Sequence, residues 1–290
     1  MLISHTIKQF LEERKAMRYS PHTIRDYAVT YKKFLAQVGD MDFENIQKQH
    51  ILQFMASQTN VSAKTLRNYH ADLSALWQWA IQQGICNQNP VRQIKAPIAE
   101  KKVILPLSKN EIFAILDESK RSPNPFRDRA MILLLLDTGI RASECCNLTI
   151  GDLNKVTNHI LVFGKGKKER SIPISKNTLN AIDEYLQTRG KKDPNSPIFV
   201  KTNGKPIDRV LLRRILARIG TKAGIGKVHP HRFRHTFAIQ FLRNGGNIYS
   251  LQKILGHSTL DMVKRYLAIA QHDLDRDHEI ASPVNHWGLM

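Results

Sequence analysis

Cysteine is scarce in this 290-residue chain, which has three, two of them the adjacent Cys145 and Cys146. Such a set builds no disulfide framework. Long apolar runs are missing as well. The longest, Ala130 to Leu136, falls far short of the roughly 20 residues that span a bilayer. Met1 to Phe10 lacks the apolar h-region of a signal peptide. Acidic residues are few, 25 against 44 Lys and Arg, for a net charge of +19. These deficits exclude a secreted, disulfide-stapled or membrane-spanning protein. They leave the expectation of a cytoplasmic protein whose partner is a polyanion, nucleic acid above all.

The excess charge is spread along the chain. Before Leu107 there are 14 basic and 8 acidic residues (+6), and from there on 30 and 17 (+13). It is therefore not one basic tail on a neutral enzyme. The hydrophobic content of 42% supports packed cores, and the length favours about two domains.

The first hundred residues read as a small bundle of four helices. Ile3, Ile7, Phe10 and Leu11 recur at helical spacing. Ser20-Pro21 is a cap followed by proline at the first helical position. From there Ile24, Tyr27, Tyr31, Phe34, Leu35 and Val38 form one stripe, ended by Gly39. A shorter helix spans 46–57. Ser62 opens the fourth, with Leu66, Tyr69, Leu73, Leu76, Trp77, Ala80 and Ile81 inward and Gly84 as its stop. Aromatic residues at this spacing read as core rather than as platforms for bases. The helical domain is placed at 1–95, and a linker with Pro97, Lys101, Lys102 and Pro106 at 96–107. Ser108-x-x-Glu111 is a capping box that opens a second domain at 108–275, followed by a tail at 276–290. The pattern there predicts helices near 109–119, 126–138, 176–188, 206–219, 232–244, 248–255 and 259–270. Strands are expected at 159–163 and 170–174, joined by a glycine-containing hairpin loop. The fold class is mainly α (α+β), with one small antiparallel sheet.

Five polar positions in the second domain stand out for phosphate chemistry. Arg141 follows a glycine helix stop in TGIRASE and presents a planar fork suited to phosphate oxygens; a surface ion pair with Glu144 is the competing reading. Lys165 sits on the glycine-flanked hairpin GKGKKER, where an ammonium can reach a groove and give up a proton; Lys167 and Lys168 are weaker candidates. His231 and Arg234, in HRFRHTFA, are three apart and share a helix face. His257, in LGHS, is offered from a loop between two helices. Tyr266 lies nine residues on, in a helix, and only its company makes it a nucleophile. Zinc held by His229, His231, His235, Cys145 and Cys146 is disfavoured, because the spacing lacks paired-Cys and HExxH patterns.

Together these residues resemble the tyrosine recombinase (phage integrase and Xer-type) family. Its pattern of Arg box, hairpin Lys, His-x-x-Arg, Leu-Gly-His box and Tyr falls on Arg141, Lys165, His231 with Arg234, His257 and Tyr266, at intervals of 24, 66, 3, 23 and 9 residues. The resemblance covers nearly the whole chain. It implies a SAM-like core-DNA-binding domain, a mostly helical catalytic domain and a C-shaped clamp on double-stranded DNA, without a further arm-binding domain. It also implies site-specific recombination through a 3′-phosphotyrosine on Tyr266, in DNA integration, excision or resolution on a mobile element, plasmid or chromosome. Arg141 and Arg234 would hold the non-bridging oxygens and Lys165 would protonate the leaving 5′-oxygen. His231 would accept the tyrosine proton or orient the phosphate, His257 would donate a hydrogen bond, Glu144 would position Arg141 and His235 would support. A free phenol ionises near 10, so cations must help Tyr266 ionise. No cofactor and no metal is expected, because the covalent link conserves the energy of the broken bond. The expected assembly is a homotetramer, or a hetero-tetramer with a related recombinase, on two DNA sites. The segment after Tyr266 would dock on a neighbouring subunit. The alternatives are a type IB topoisomerase, which relaxes DNA as a monomer, and a non-catalytic DNA-binding protein on the same scaffold. A metal-dependent nuclease would need a carboxylate cluster that the basic boxes do not supply.

Overall fold

The computed structural model describes residues 1–98, 105–164, 169–190, 193–257, 259, 260, 263, 266, 278 and 282–287. The chain divides into two compact units, 1–102 and 103–290.

Unit 1 is built from α1 (Ile3–Ala16), α2 (Pro21–Val38), α3 (Lys48–Ser57) and α4 (Ala63–Gln82). Serine caps fix two of the helix starts. The Ser20 hydroxyl accepts from the Thr23 amide and the Ser62 hydroxyl from the Thr65 amide. Helix α3 starts two residues later than the pattern predicts, because Phe43–Asn45 forms a 3-10 turn and Ile46 is extended. The aromatics are core, as their spacing says. Phe10, Tyr31, Phe34, Phe54 and Trp77 are fully buried, and edge-on pairs such as Phe34–Trp77, 5.8 Å between centroids, join the helices. Trp79, absent from the expected stripe, is also buried, and its indole N–H donates to Glu13 across 2.7 Å. A tryptophan with that partner is stable off the apolar seam.

Unit 2 contains α5 (Lys109–Ser119), α6 (Pro125–Thr138), α7 (Ala142–Asn147), β1 (Leu153–Asn154), β2 (His159–Phe163), β3 (Glu169–Pro173), α8 (Lys176–Thr188), α9 (Arg209–Lys222), α10 (Pro230–Arg243) and α11 (Ile248–Leu255). A short helix, Pro283–Trp287, lies beyond. The expected capping box closes both ways: Ser108 N donates to Glu111 Oε2 at 2.7 Å and Glu111 N to Ser108 Oγ at 3.2 Å. The sheet is antiparallel in the order β1-β2-β3, with Ile160 opposite Ile172. The two-residue strand β1 and the six-residue helix α7 were too short for periodicity to announce. Helix α9 begins at 209 because Asp208, itself in extended backbone, caps the amides of Val210 and Leu211, while Ile207 before it is buried. Of the helix expected at 259–270, most lies outside the described residues; Val263 and Tyr266 are helical.

The main core of unit 2 gathers Met131, Leu134 and Leu135 of α6 with Ile160, Ile172, Ile182 and Leu216. A second, smaller cluster holds Ala238, Ile239 and Leu242 of α10, Leu251 and Leu255 of α11, Val263 and Tyr266. No described helix is long and apolar enough to cross a membrane.

Candidate active site

The site forms where three helix ends meet. Helix α6 stops at Gly139, whose φ of +59° is the left-handed conformation that a helix C-terminus favours. A Cβ there would lie 2.5 Å from the Phe237 ring and 2.9 Å from Leu255, so α10 and α11 pack directly on this glycine. Helix α11 stops at Gly256, φ +62°. Helix α10 starts at Pro230, two residues before the predicted start. Its first turn is tied to the capping box by Arg232, which donates to Glu111 at 2.8 Å, and Thr236 Oγ1 accepts from Leu107 N at 2.7 Å.

A helix leaves its last carbonyls without partners inside the helix, and the macrodipole makes that end negative. At the end of α11, three consecutive carbonyls each accept from a different arginine. Ile254 O receives Arg170 Nε at 2.8 Å, Leu255 O receives Arg234 Nη2 at 2.8 Å, and Gly256 O receives Arg141 Nη2 at 3.2 Å. Arg234 also donates to Gly139 O at 2.8 Å. Its side chain is buried, and burial first, then the nearby Arg141 charge, lowers its pKa to about 10. It remains a cation at neutral pH.

Arg234 Nη2 lies 2.7 Å from His257 Nε2. A guanidinium only donates, so Nε2 accepts and neutral His257 carries its proton on Nδ1. Burial, then Arg234, Arg141 and Arg170, lowers the His257 pKa to about 4. Its Nδ1 is buried without a hydrogen-bond partner among the described residues. Tyr266 is buried against two imidazoles. Its ring is nearly parallel to His257, 10° and 6.4 Å between centroids, and edge-on to His235 at 5.3 Å. His235, expected as a supporting residue, is therefore a direct neighbour of the phenol. His231 stands at the start of α10, where partial desolvation, followed by the charges of His229 and Arg234, lowers its pKa.

Arg141 donates through Nη1 to Glu144 Oε1 at 2.8 Å, and its backbone N–H to Glu144 Oε2 at 2.7 Å. This pair is not the surface contact weighed from the sequence. The Glu144 side chain is 3% exposed and that of Arg141 35%, so the carboxylate is interior while the fork reaches the surface. Burial pushes the Glu144 carboxyl up, but hydrogen bonds from Arg170 and the Arg141 backbone outweigh it and hold the pKa below the usual value.

Arg141, Arg234, His257 and Tyr266 are thus brought together, with His231 alongside. Lys165, Lys167 and Lys168 lie outside the described residues. Arg170 is the residue that motif reading missed. The signal was its place on β3, where it shares the inward face with buried Ile172. Cys145 and Cys146 are packed in the main core. Among the described residues no group of three or more His, Cys, Asp or Glu side chains is placed to hold a metal ion.

Two arginines, three histidines and a tyrosine thus gather on a mostly helical unit. The phage integrase family model matches residues 106–272, and that of the phage integrase N-terminal SAM-like domain matches residues 7–85. The chain is 30% identical over 286 residues to tyrosine recombinase XerC of Bacillus subtilis (strain 168), covering 94% of each. It is 28% identical to tyrosine recombinase XerD of Staphylococcus saprophyticus, covering 92% of this chain and 93% of that one. Among solved structures, the Tn1549 transposon integrase in complex with transposon right end DNA matches with TM-score 0.80 at 22% identity, covering 97% of this chain and 99% of that one. The XerH site-specific recombinase bound to palindromic difH matches with TM-score 0.74 at 23% identity, covering 93% and 83%. The chain belongs to the tyrosine recombinase (phage integrase) family, a family of site-specific DNA recombinases. Its relatives favour recombination over the topoisomerase and non-catalytic readings.

Proposed function

We propose that this chain cleaves and rejoins double-stranded DNA with Tyr266 as nucleophile. The Tyr266 hydroxyl oxygen attacks the scissile phosphorus, the bond to the 5′-oxygen breaks, and a 3′-phosphotyrosine remains. His231, neutral at pH 7 because its pKa lies below the ordinary value, takes the phenol proton. Lys165 gives a proton to the leaving 5′-oxygen. Arg141 and Arg234 hold the non-bridging oxygens, where negative charge grows in the transition state. His257 donates a hydrogen bond to the phosphate. Attack by a 5′-hydroxyl from a second duplex reverses these steps and completes the exchange. Four such cuts require four active sites, so the working assembly is a homotetramer, or a hetero-tetramer with a related recombinase, on two DNA sites. It acts in the cytoplasm, where its DNA is.

The observation that carries this reading is the convergence of Arg141, Arg234 and His257 on the end of α11 with Tyr266 packed against His257. The test is a gel. A nicked duplex, selected by the protein from a randomised pool, is incubated with it and examined for an SDS-resistant adduct. Wild type should give the adduct and Tyr266→Phe none; an adduct that survives the substitution refutes the nucleophile. Lys165→Ala should slow cleavage of ordinary DNA and recover on a substrate with sulfur as the bridging 5′-atom, whose thiolate leaves without a proton. No recovery would count against Lys165 as the acid.

A further inference from the structure

Arg170 is more deeply engaged than Arg141. All its donor nitrogens are committed: Nε to Ile254 O, Nη1 to Glu144 Oε1 at 3.0 Å and Nη2 to Glu144 Oε2 at 2.9 Å. Its side chain is 14% exposed, against 35% for Arg141. The Leu-Gly-His turn is shaped around it, since a Cβ on Gly256 would lie 3.1 Å from the guanidinium carbon. One side chain therefore ties three motifs: the strand that follows the Lys165 loop, the glutamate of the Arg box and the end of α11.

Resting on the reading of Tyr266 and Arg141 above, we propose that Arg170 is a positioning residue that keeps the Arg141 guanidinium aimed at the scissile phosphate. Glu144 is a buried carboxylate with two oxygens to satisfy. Arg170 occupies both in a bidentate pair, the strongest geometry for such a contact, and leaves Arg141 a single side-chain bond to Oε1. Without Arg170, a buried, half-neutralised carboxylate remains beside Arg141. Leaving a buried charge unpaired is costly, so Glu144 draws Arg141 into the vacated bidentate position. That rotation moves the fork off the phosphate while leaving the DNA-binding surface unchanged. Lysine at position 170 keeps the charge and loses the fork, so it does not restore the aim.

The test uses the full chain, the selected nicked duplex and single-turnover cleavage. Arg170→Met and Arg170→Lys should each slow cleavage by about 100-fold, the scale of a misplaced catalytic group, with affinity for the duplex within about twofold of wild type by the same reasoning. The decisive arm replaces one non-bridging oxygen of the scissile phosphate by methyl. The neutral methylphosphonate has less need of a guanidinium, so the defect of Arg170→Met should shrink at least tenfold, as should that of Arg141→Ala. The double variant Arg170→Met/Glu144→Gln should cleave faster than Arg170→Met, because the carboxylate that captures Arg141 is gone. If Arg170→Met does not fold by circular dichroism, Arg170→Lys is read in all arms. Rescue of Arg141→Ala without rescue of the Arg170 variants overturns this proposal alone. Failure to rescue Arg141→Ala overturns the role given to Arg141, and the Arg170 proposal with it. Wild-type cleavage by both Arg170 variants also overturns it.

Discussion

The opposite duties proposed for His257 and His231 both require an imidazole that is neutral at pH 7. Burial first, then neighbouring cationic groups, disfavours imidazolium at each, and each has a folded pKa below the ordinary 6.5. For a catalytic base this sets a direction. His231 accepts a proton only when neutral, so single-turnover cleavage should be flat from about pH 8 to pH 6.5 and fall once the pH drops through its lowered pKa. His231→Gln should be slower and lack that break; a variant with an unchanged profile would remove His231 from the role. Stability has the same sign. A histidine whose folded pKa is depressed contributes in full above its unfolded value, loses that contribution as pH falls below it, and has lost it below the folded pKa. For His257 the window runs from 6.5 down to about 4. The urea midpoint of His257→Asn should therefore vary less across that window than the wild-type midpoint.

Helix ends explain why residues scattered over a long stretch of sequence meet. Two left-handed glycines set that geometry: Gly139 releases α6 where Arg141 must turn back, and Gly256 ends α11 so that its own carbonyl and the last two of the helix face the arginines. Gly139→Ala places a Cβ against Phe237 in a backbone conformation that L-residues avoid. It should destabilise unit 2 by about 2 kcal/mol, by strain and overpacking together, and lower cleavage by displacing the Gly139 carbonyl from Arg234. A urea midpoint equal to wild type would refute this. The elements themselves were largely legible in the sequence: capping boxes, Pro at helix starts, Gly at helix stops and the 3.6-residue stripes report local chemistry. Helix α7 and strand β1 were not legible, because two to six residues carry no measurable period. Arg170 was hidden for a different reason. Its partners Glu144 and Ile254 lie 26 and 84 residues away, and no local pattern encodes a contact made only by tertiary folding. The same holds for the three-carbonyl rack, where the residue types were visible in the sequence and their shared acceptor was not.

At the scale of the whole chain, the scarcity of acidic residues separates into two functions. Arg141, Arg170 and Arg234 are fixed around one site by named hydrogen bonds, and most of the remaining excess of +19 is surface charge over both units. Surface cations that meet phosphates release counterions on binding, so affinity for duplex DNA should fall steeply with salt, by about 10³-fold or more between 50 and 200 mM if six or more phosphates are contacted. Loss should be similar for selected and unrelated duplexes, since phosphate contacts carry no sequence. Affinity that is flat in salt would contradict a phosphate-dominated grip.

Every proposed step depends on the bond between Tyr266 and the 3′ end of the cut strand. Its most direct measurement is mass spectrometry of the adduct formed on the nicked duplex, after protease and nuclease digestion. A nucleotide remnant should be found linked through its 3′-phosphate to the peptide that contains Tyr266. A remnant on another tyrosine, such as Tyr249, or a linkage through a 5′-phosphate, would contradict it.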